Sequence, residues 1–310
     1  MPPLLLVLSL SLLWGATCTN PPIRGTNPPI RGVNLGGWLV LESYITPSLF
    51  ALDTCTADPN VSSPCLPVPT YPVDQYTLTS LFPTPSSIQS YLTSHWSTFV
   101  TATDIAALAA ANLTHVRIPI PHWILTPTLP DEPYAAGTST AGEYPHLLRV
   151  IKLCREFGIQ VWLDLHTAPG SQNGFDNSGH TLPTPTGVNW SGNPGYMDRT
   201  VGVVEDVCRQ LVRDEVEDVV TGFGVLNEPF KGENSAQVRD YDERALRVVR
   251  AVLGKHVAVY IGDMFDASKF DDFWQTREYE NTFLDSHYYH VFASPPRAFS
   301  PRQHVAYVCK

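Results

Sequence analysis

Short apolar runs, several of them rich in valine and isoleucine, alternate along the chain with longer amphipathic segments. The short runs predict buried β-strands, and apolar residues that recur at helical spacing predict helices. The predicted strands lie near 33–38, 115–120, 159–166, 219–226, 256–263 and 282–289. The predicted helices cover 96–111, 143–157, 197–215 and 236–253, with a shorter one at 270–274.

Strands that alternate with helices favour a parallel sheet, so this pattern predicts an α/β fold of the (β/α)8 TIM-barrel class. Six strands can be counted before the sequence ends at Lys310, whereas a closed barrel of this class has eight. We therefore expect a barrel that is truncated after about six strands. Residues 53–85 are rich in Pro, Ser and Thr and are predicted to form a surface insertion.

The stretch from Val219 to Phe230 is the most informative part of the pattern. It begins as an apolar run and ends in Asn227-Glu228-Pro229, and proline cannot extend a sheet ladder. Glu228 is thereby predicted at the carboxyl end of a parallel strand, where barrel enzymes place catalytic residues. A partly desolvated Glu can have a raised pKa there and can hold a proton for a leaving group. An ordinary glutamate in a turn is the structural alternative.

Polar side chains also end other predicted strands, namely Arg117, His166, Asp263, and His287 with Tyr289. One such residue usually caps or packs, but several on separate strands predict a convergent polar pocket. Two aromatic residues follow in loops, Phe175 and Phe292. Their rings either stack on sugar rings or pack within the loops.

The composition argues against several other classes of function. The formal net charge is −10, with 20 Lys and Arg against 30 Asp and Glu, and no basic run occurs, so nucleic acid is not an expected partner. The histidines lack metal-ligand spacing, and no Gly-x-Ser-x-Gly motif is present. We therefore expect no metal ion and no cofactor, and a neutral sugar polymer is compatible with the charge.

Residues 1–18 have the features of a secretory signal peptide, because the apolar run from Leu4 to Trp14 is too short to span a bilayer. A wrongly assigned start and a membrane anchor are the alternatives. We expect a mature domain of residues 19–310 that is secreted, extracellular or in the cell wall, monomeric, and without a membrane span. Three N-glycosylation sequons fit a secreted protein, and they begin at Asn60, Asn112 and Asn189. The Asn at 112 also suits the left-handed end of a helix.

The cysteines predict one disulfide. Cys55 and Cys65 lie close together in the proline-rich insertion and are expected to pair in a secreted protein. Cys154 and Cys208 fall within predicted helices, and we expect both to be buried thiols.

Five stretches carry the most distinctive combinations of residues, at 31–50, 116–119, 164–179, 226–229 and 285–292. They resemble the fungal exo-β-1,3-glucanases of glycoside hydrolase family 5, and the first and third stretches are the most specific. The resemblance implies a secreted, retaining hydrolase that releases glucose from the non-reducing ends of β-1,3-glucan. Its partner would be β-1,3-glucan of the cell wall or an oligosaccharide of it.

The resemblance also implies roles for individual residues. Glu228 would be the general acid and base, and Asn227 would bind the 2-hydroxyl of the sugar. Arg117 and His166 would support the catalytic carboxylates. The pocket for the terminal glucose would be formed by Glu42, Tyr44, Asp176 and Asn177. Two residues would lie near the reacting carbon, His287 and Tyr289, and two would clamp the next sugar, Phe175 and Phe292.

A retaining glycosidase needs a second carboxyl group about 5–5.5 Å from the first. The family carries it in a Gly-Glu-Trp motif after the seventh strand, and this tripeptide does not occur in the 310 residues. Glu143 is predicted to open a helix at the wrong end of the barrel, and Glu233 is predicted in a loop. Two hypotheses follow, a truncated sequence of an active hydrolase and a catalytically inactive relative that at most binds β-glucan. A hydrolase for another β-glucoside is a third.

Overall fold

The computed structural model describes residues 30–52, 72–125, 128–135, 137–183, 188, 190–230, 232–270, 279–287, 289 and 299–308. The chain forms two compact units, Ile30–His287 and a second unit that combines Met1–Pro29 with Tyr288–Lys310. Several predictions lie outside the described residues, namely the signal peptide, the Cys55–Cys65 disulfide, the sequons at Asn60 and Asn189, and Phe292.

Six parallel strands of the first unit form one sheet, in the order in which they follow each other along the chain. They are β1 (Gly32–Asn34), β2 (His115–Ile120), β3 (Gln160–Leu165), β4 (Val220–Gly224), β5 (Ala258–Gly262) and β6 (Thr282–Asp285). Parallel neighbours in sequence order are the arrangement of consecutive strands in a (β/α)8 barrel. The predicted fold class and the six strands are confirmed.

The helices are α1 (Pro47–Phe50), α2 (Gln75–Thr79), α3 (Pro85–Thr98), α4 (Ala102–Ala110), α5 (Tyr144–Phe157), α6 (Pro194–Arg213), α7 (Ser235–Val252) and α8 (Pro301–Val308). Short 3₁₀ turns occur at Asp176–Ser178 and Ala267–Phe270. α5 ends at Phe157, as predicted, and is closed by Gly158, which has a left-handed φ of 69°. No helix in the described part of the chain is both long and apolar enough to cross a membrane.

The single helix predicted over 96–111 is wrong, because α3 ends at Thr98 and α4 begins at Ala102. Thr101 has an extended backbone and forms a capping box with Asp104, whose Oδ2 accepts a hydrogen bond from the Thr101 backbone N–H at 2.8 Å. Such a box satisfies the backbone donors at a helix start, so Thr101 begins a new helix. Asn112 follows α4 with a φ of 63°, which is the predicted left-handed position.

Two glycines of β4 make room for side chains of β3. Gly222 pairs with Trp162, and Gly224 pairs with Asp164. A Cβ atom would lie 2.5 Å from the Trp162 indole at Gly222 and 2.8 Å from Asp164 Oδ1 at Gly224. The Trp162 ring therefore reaches across β4 to Tyr260 of β5, with the ring centres 4.3 Å apart. The small residues of β4 thus determine which β3 side chains can occupy this face of the sheet.

We expect Gly222→Ala to lower the free energy of unfolding by about 1–3 kcal/mol, because the added methyl group displaces a rigid indole in a packed layer. Gly202→Ala in α6 is the matched control, since no atom lies within 4 Å of its added Cβ. In a helix interior the same change stabilises by about 0.5–1 kcal/mol. Urea unfolding of both variants measures the difference, and equal effects of the two would contradict the packing role of Gly222.

Cys154 in α5 and Cys208 in α6 are unpaired and fully buried, as predicted. Burial raises the pKa of both thiols to about 12. They are therefore packing residues in the protonated form rather than reactive nucleophiles.

Candidate active site

The turn after β4 carries the proposed acid and base. The strand predicted to run to Leu226 is wrong, since it ends at Gly224. The backbone N–H of Val225 then donates to β5 at 3.0 Å, and that of Asn227 donates to β3 at 2.8 Å. Glu228 has a left-handed φ of 47°, which is uncommon for a residue with a side chain and is found preferentially at functional sites.

The Glu228 carboxylate is held from two sides and is nearly closed to solvent, with 7% of the residue exposed. Oε2 accepts a hydrogen bond from Nδ2 of Asn177 at 2.8 Å, and Oε1 lies 2.6 Å from Nδ1 of His287. Asn177 belongs to the long loop after β3, and His287 follows β6. Three separate segments of the unit thus meet at one carboxyl group.

His287 bridges two carboxylates, because its Nε2 lies 3.3 Å from Oδ2 of Asp285. Burial lowers the pKa of His287, but the hydrogen bonds and charges of Asp285 and Glu228 outweigh burial and raise the pKa to about 10. The imidazole is therefore protonated at neutral pH. It holds a proton one hydrogen bond away from Glu228, while the charge of Asp285 stabilises the cation.

Arg117 and His166 contact the site through Asp164. The Asp164 carboxylate lies 3.0 Å from Nη2 of Arg117 through Oδ1 and 2.6 Å from Nδ1 of His166 through Oδ2. Arg117 also donates to Oδ1 of Asn227 at 2.9 Å. In this arrangement the two predicted supports hold Asp164, and Arg117 also holds Asn227, which precedes Glu228 in sequence.

Asn227 is 3% exposed, and its side-chain Nδ2 has no hydrogen-bond partner among the residues that the structure describes. Its backbone carbonyl accepts from Nε2 of Gln172 at 2.9 Å, and the same nitrogen donates to the carbonyl of His166 at 2.9 Å. Gln172 thereby ties the turn after β4 to the end of β3. A buried amide without a partner is costly, and it is suited to donate to a ligand.

The predicted glucose pocket also includes Glu42, Tyr44 and Asp176. Glu42 is 5% exposed and accepts from the Gly37 backbone N–H at 3.2 Å and from the Tyr44 hydroxyl, while 69% of Tyr44 is exposed. Asp176 has a raised pKa, chiefly because of burial, and the charge of Glu42 adds to the effect. The charge of Glu42 therefore acts on the Asp176 carboxyl group.

The predicted aromatic pair is described only in part. The Phe175 ring contacts Phe230 edge to face, with the ring centres 5.9 Å apart. Tyr289 belongs to the second unit, where it is 48% exposed. The roles of Phe175, Phe292 and Tyr289 stay predictions.

A cavity of about 240 Å³ opens beside this network, and it is lined by Arg117, Trp162, Leu163, Asp164, Gly224, Tyr260, Asp285 and His287. Two of its charged residues, Asp164 and Asp285, were not among the predicted site residues. Each lies two positions before a predicted histidine. Residues two apart on a strand point to the same face, so the Asp-x-His spacing is the signal that could have identified both.

Two further glutamates, Glu143 and Glu233, each follow a glycine in the sequence. Glu143 opens α5 as predicted, but its placement at the wrong end of the barrel is itself wrong, because Oε1 accepts from the Trp123 indole N–H at 3.0 Å, just past the end of β2. Helices run antiparallel to the strands in such barrels, so a helix start lies at the active-site end. Glu233 binds the backbone N–H groups of Trp190 and Ser191 at 3.0 and 3.1 Å.

Residues 80–298 match the family model described as Cellulase (glycosyl hydrolase family 5). The chain is 36% identical over 280 residues to the probable glucan 1,3-beta-glucosidase A of Emericella nidulans, covering 90% of this chain and 61% of that protein. It is 36% identical over 281 residues to the glucan 1,3-beta-glucosidase of Yarrowia lipolytica, covering 89% of this chain and 61% of that protein. The chain thus spans about three fifths of the length of these relatives.

The fold is similar to that of solved structures. The rutinosidase from Aspergillus niger superimposes with a TM-score of 0.66 at 21% identity, covering 85% of this chain and 70% of that chain. At this identity the likeness concerns the fold alone, and it agrees with the order of strands and helices described above.

Proposed function

The chain belongs to glycosyl hydrolase family 5, and we propose that its protein is a secreted, retaining exo-β-1,3-glucosidase that removes glucose from the non-reducing ends of β-1,3-glucan. The observation that carries this proposal is the buried Glu228 carboxylate, which lies at the end of β4 between Asn177 and a protonated His287. The names of the relatives from Emericella nidulans and Yarrowia lipolytica support β-1,3-glucan as the substrate.

In the proposed reaction, Glu228 donates a proton to the oxygen of the leaving sugar. Donation leaves Glu228 as a carboxylate, 2.6 Å from Nδ1 of His287. This carboxylate then takes a proton from the water that hydrolyses the glucosyl intermediate, which regenerates the acid. The carboxylate nucleophile that forms this intermediate is assigned to no residue among the 310. Oε1 of Glu143 accepts from the Trp123 indole, and both oxygens of Glu233 accept from the backbone N–H groups of Trp190 and Ser191.

Two carboxyl groups and one amide of the predicted glucose pocket support the exo mode of the proposal. Carboxylates accept hydrogen bonds from sugar hydroxyls, and Glu42 with Asp176 places two of them within electrostatic reach of each other. Nδ2 of Asn227, which has no hydrogen-bond partner among the described residues, supplies a donor next to Glu228 in sequence. Acceptors and a donor together support the proposal that a terminal glucose unit binds here.

The test is to incubate the natural protein with laminari-oligosaccharides that are labelled at the reducing end, and to follow the products by chromatography and proton NMR. We expect glucose to be released stepwise from the unlabelled end and to appear first as the β-anomer. Release of the α-anomer would exclude retention, and internal cleavage would exclude the exo mode. Binding of the oligosaccharide without hydrolysis would favour the inactive relative.

A further inference from the structure

Asp164 is a buried charged residue of the site with both oxygens bound, although it is not one of the residues to which the proposed function gives a role. It lies on β3 and is 3% exposed. Both of its oxygens are bound, Oδ1 at 3.0 Å from Arg117 and Oδ2 at 2.6 Å from His166. Charge-assisted hydrogen bonds of this kind are stronger than neutral ones, so the carboxylate holds both partners in place.

The backbone is shaped to admit this carboxylate. Gly224 pairs with Asp164 across the sheet, and a Cβ atom at that position would come within 2.8 Å of Oδ1. Any larger residue would push the carboxylate away from Arg117. The glycine at position 224 of β4 therefore leaves the space that the Asp164 carboxylate on β3 occupies.

Arg117 links Asp164 to Asn227, the residue that precedes the proposed acid and base Glu228. Its Nη2 donates both to Asp164 and to Oδ1 of Asn227, at 3.0 and 2.9 Å, while Nη1 donates to Asn34 at 2.9 Å. A guanidinium group has donors and no acceptor. The amide of Asn227 must therefore turn its oxygen toward Arg117, which leaves Nδ2 without a partner in the described part of the chain.

We propose that Asp164 is a positioning residue, which fixes Arg117 and through it the orientation of the Asn227 amide, so that Nδ2 donates to the 2-hydroxyl of the bound sugar. This proposal rests on the proposed function, because it needs a sugar beside Glu228. Among the described residues, the Asp164 carboxylate binds Arg117 and His166, and its charge also acts on His287. The effect that passes through Arg117 reaches the part of the substrate that Asn227 contacts.

The test compares an aryl β-glucoside with its 2-deoxy analogue in the natural protein and in Asp164→Asn, Asn227→Ala and the double variant. We expect Asp164→Asn to lower kcat/KM for the glucoside by tenfold or more, and to change that of the 2-deoxy analogue much less. The double variant should be no slower than Asn227→Ala alone, because both changes remove one interaction. A merely structural role would slow both substrates equally and add to the effect of Asn227→Ala, which would overturn the proposal.

Asp263→Asn is the matched control, since Asp263 is also a buried acid at a strand end but binds the backbone N–H of Phe265 in its own turn at 2.8 Å. It should leave the ratio between the two substrates unchanged. A crystal structure of Asp164→Asn gives a readout without activity, in which we expect the bond between Arg117 and Asn227 to be lost. If the natural protein hydrolyses neither glucoside, the proposed function fails, and retention of that bond in Asp164→Asn would overturn the Asp164 proposal by itself.

Discussion

Glu228→Gln is expected to lower kcat/KM for laminarin, a β-1,3-glucan, by about 10²–10⁴-fold, which is the usual contribution of acid and base catalysis. Glutamine can still accept from Asn177, so the shape of the site is kept. It cannot deliver a proton to the leaving oxygen, and it leaves His287 with one carboxylate instead of two. A glucoside with a good leaving group needs less protonation, so its glycosylation step should suffer less.

Glu233→Gln is the control for this experiment. Glu233 lies five residues further along and is buried to a similar degree, 6% exposed against 7% for Glu228. Its carboxylate caps the backbone N–H groups of Trp190 and Ser191, so its loss should lower the melting temperature while each folded molecule keeps its turnover. Nearly normal hydrolysis of laminarin by Glu228→Gln would remove Glu228 from the proposed role.

The second large effect concerns stability, and it originates at Glu143. This residue is 1% exposed, and its Oε2 has no hydrogen-bond partner among the described residues. Burial raises the pKa of Glu143 from 4.5 to about 8. Between these values the folded protein keeps a proton that the unfolded chain has released, so stability falls as the pH rises. Across this range the free energy of unfolding falls by about 5 kcal/mol in total, at about 1.4 kcal/mol for each pKa unit.

Glu143→Gln removes this titration, and the glutamine oxygen can still accept from the Trp123 indole. We expect the variant to be close to the natural protein in stability below pH 4.5 and to gain on it by about 1.4 kcal/mol per pH unit up to about pH 8. Urea unfolding at several pH values measures both curves, and other groups cancel in their difference. Parallel curves would show that the Glu143 carboxyl group is not protonated in the folded state.

Glu205→Gln is the control for that measurement. Glu205 pairs with Arg209 on the surface of α6, where its side chain is 42% exposed. Exposed ion pairs contribute about 0–1 kcal/mol, so this variant should differ little from the natural protein. The comparison separates the effect of burial from the removal of a negative charge.

Much of the fold follows from periodicity alone. The alternation of apolar runs and amphipathic segments predicts all six strands and their order, and it places β2 at the residues where it is observed. Gly158 marks the end of α5, because a glycine has no side chain and readily adopts the left-handed conformation that closes a helix. These features depend on neighbours in sequence, so they can be recognised without knowledge of the packing. The break before Thr101 was missed, because the apolar spacing continues through it.

The polar residues at strand ends were also apparent in the sequence, since parallel strands bring their carboxyl ends together. Which of these residues touch was decided by the tertiary structure. Glu228 meets Asn177 from 51 residues before and His287 from 59 residues after it, and no local pattern encodes such a pairing. Asp164 binds Arg117 only because Gly224 leaves space opposite it. The sequence by itself thus determined the order of the elements and the end of the sheet at which chemistry is placed. The packing of side chains between distant strands decided the partners and charges of each group, because those depend on distances that only the folded chain sets.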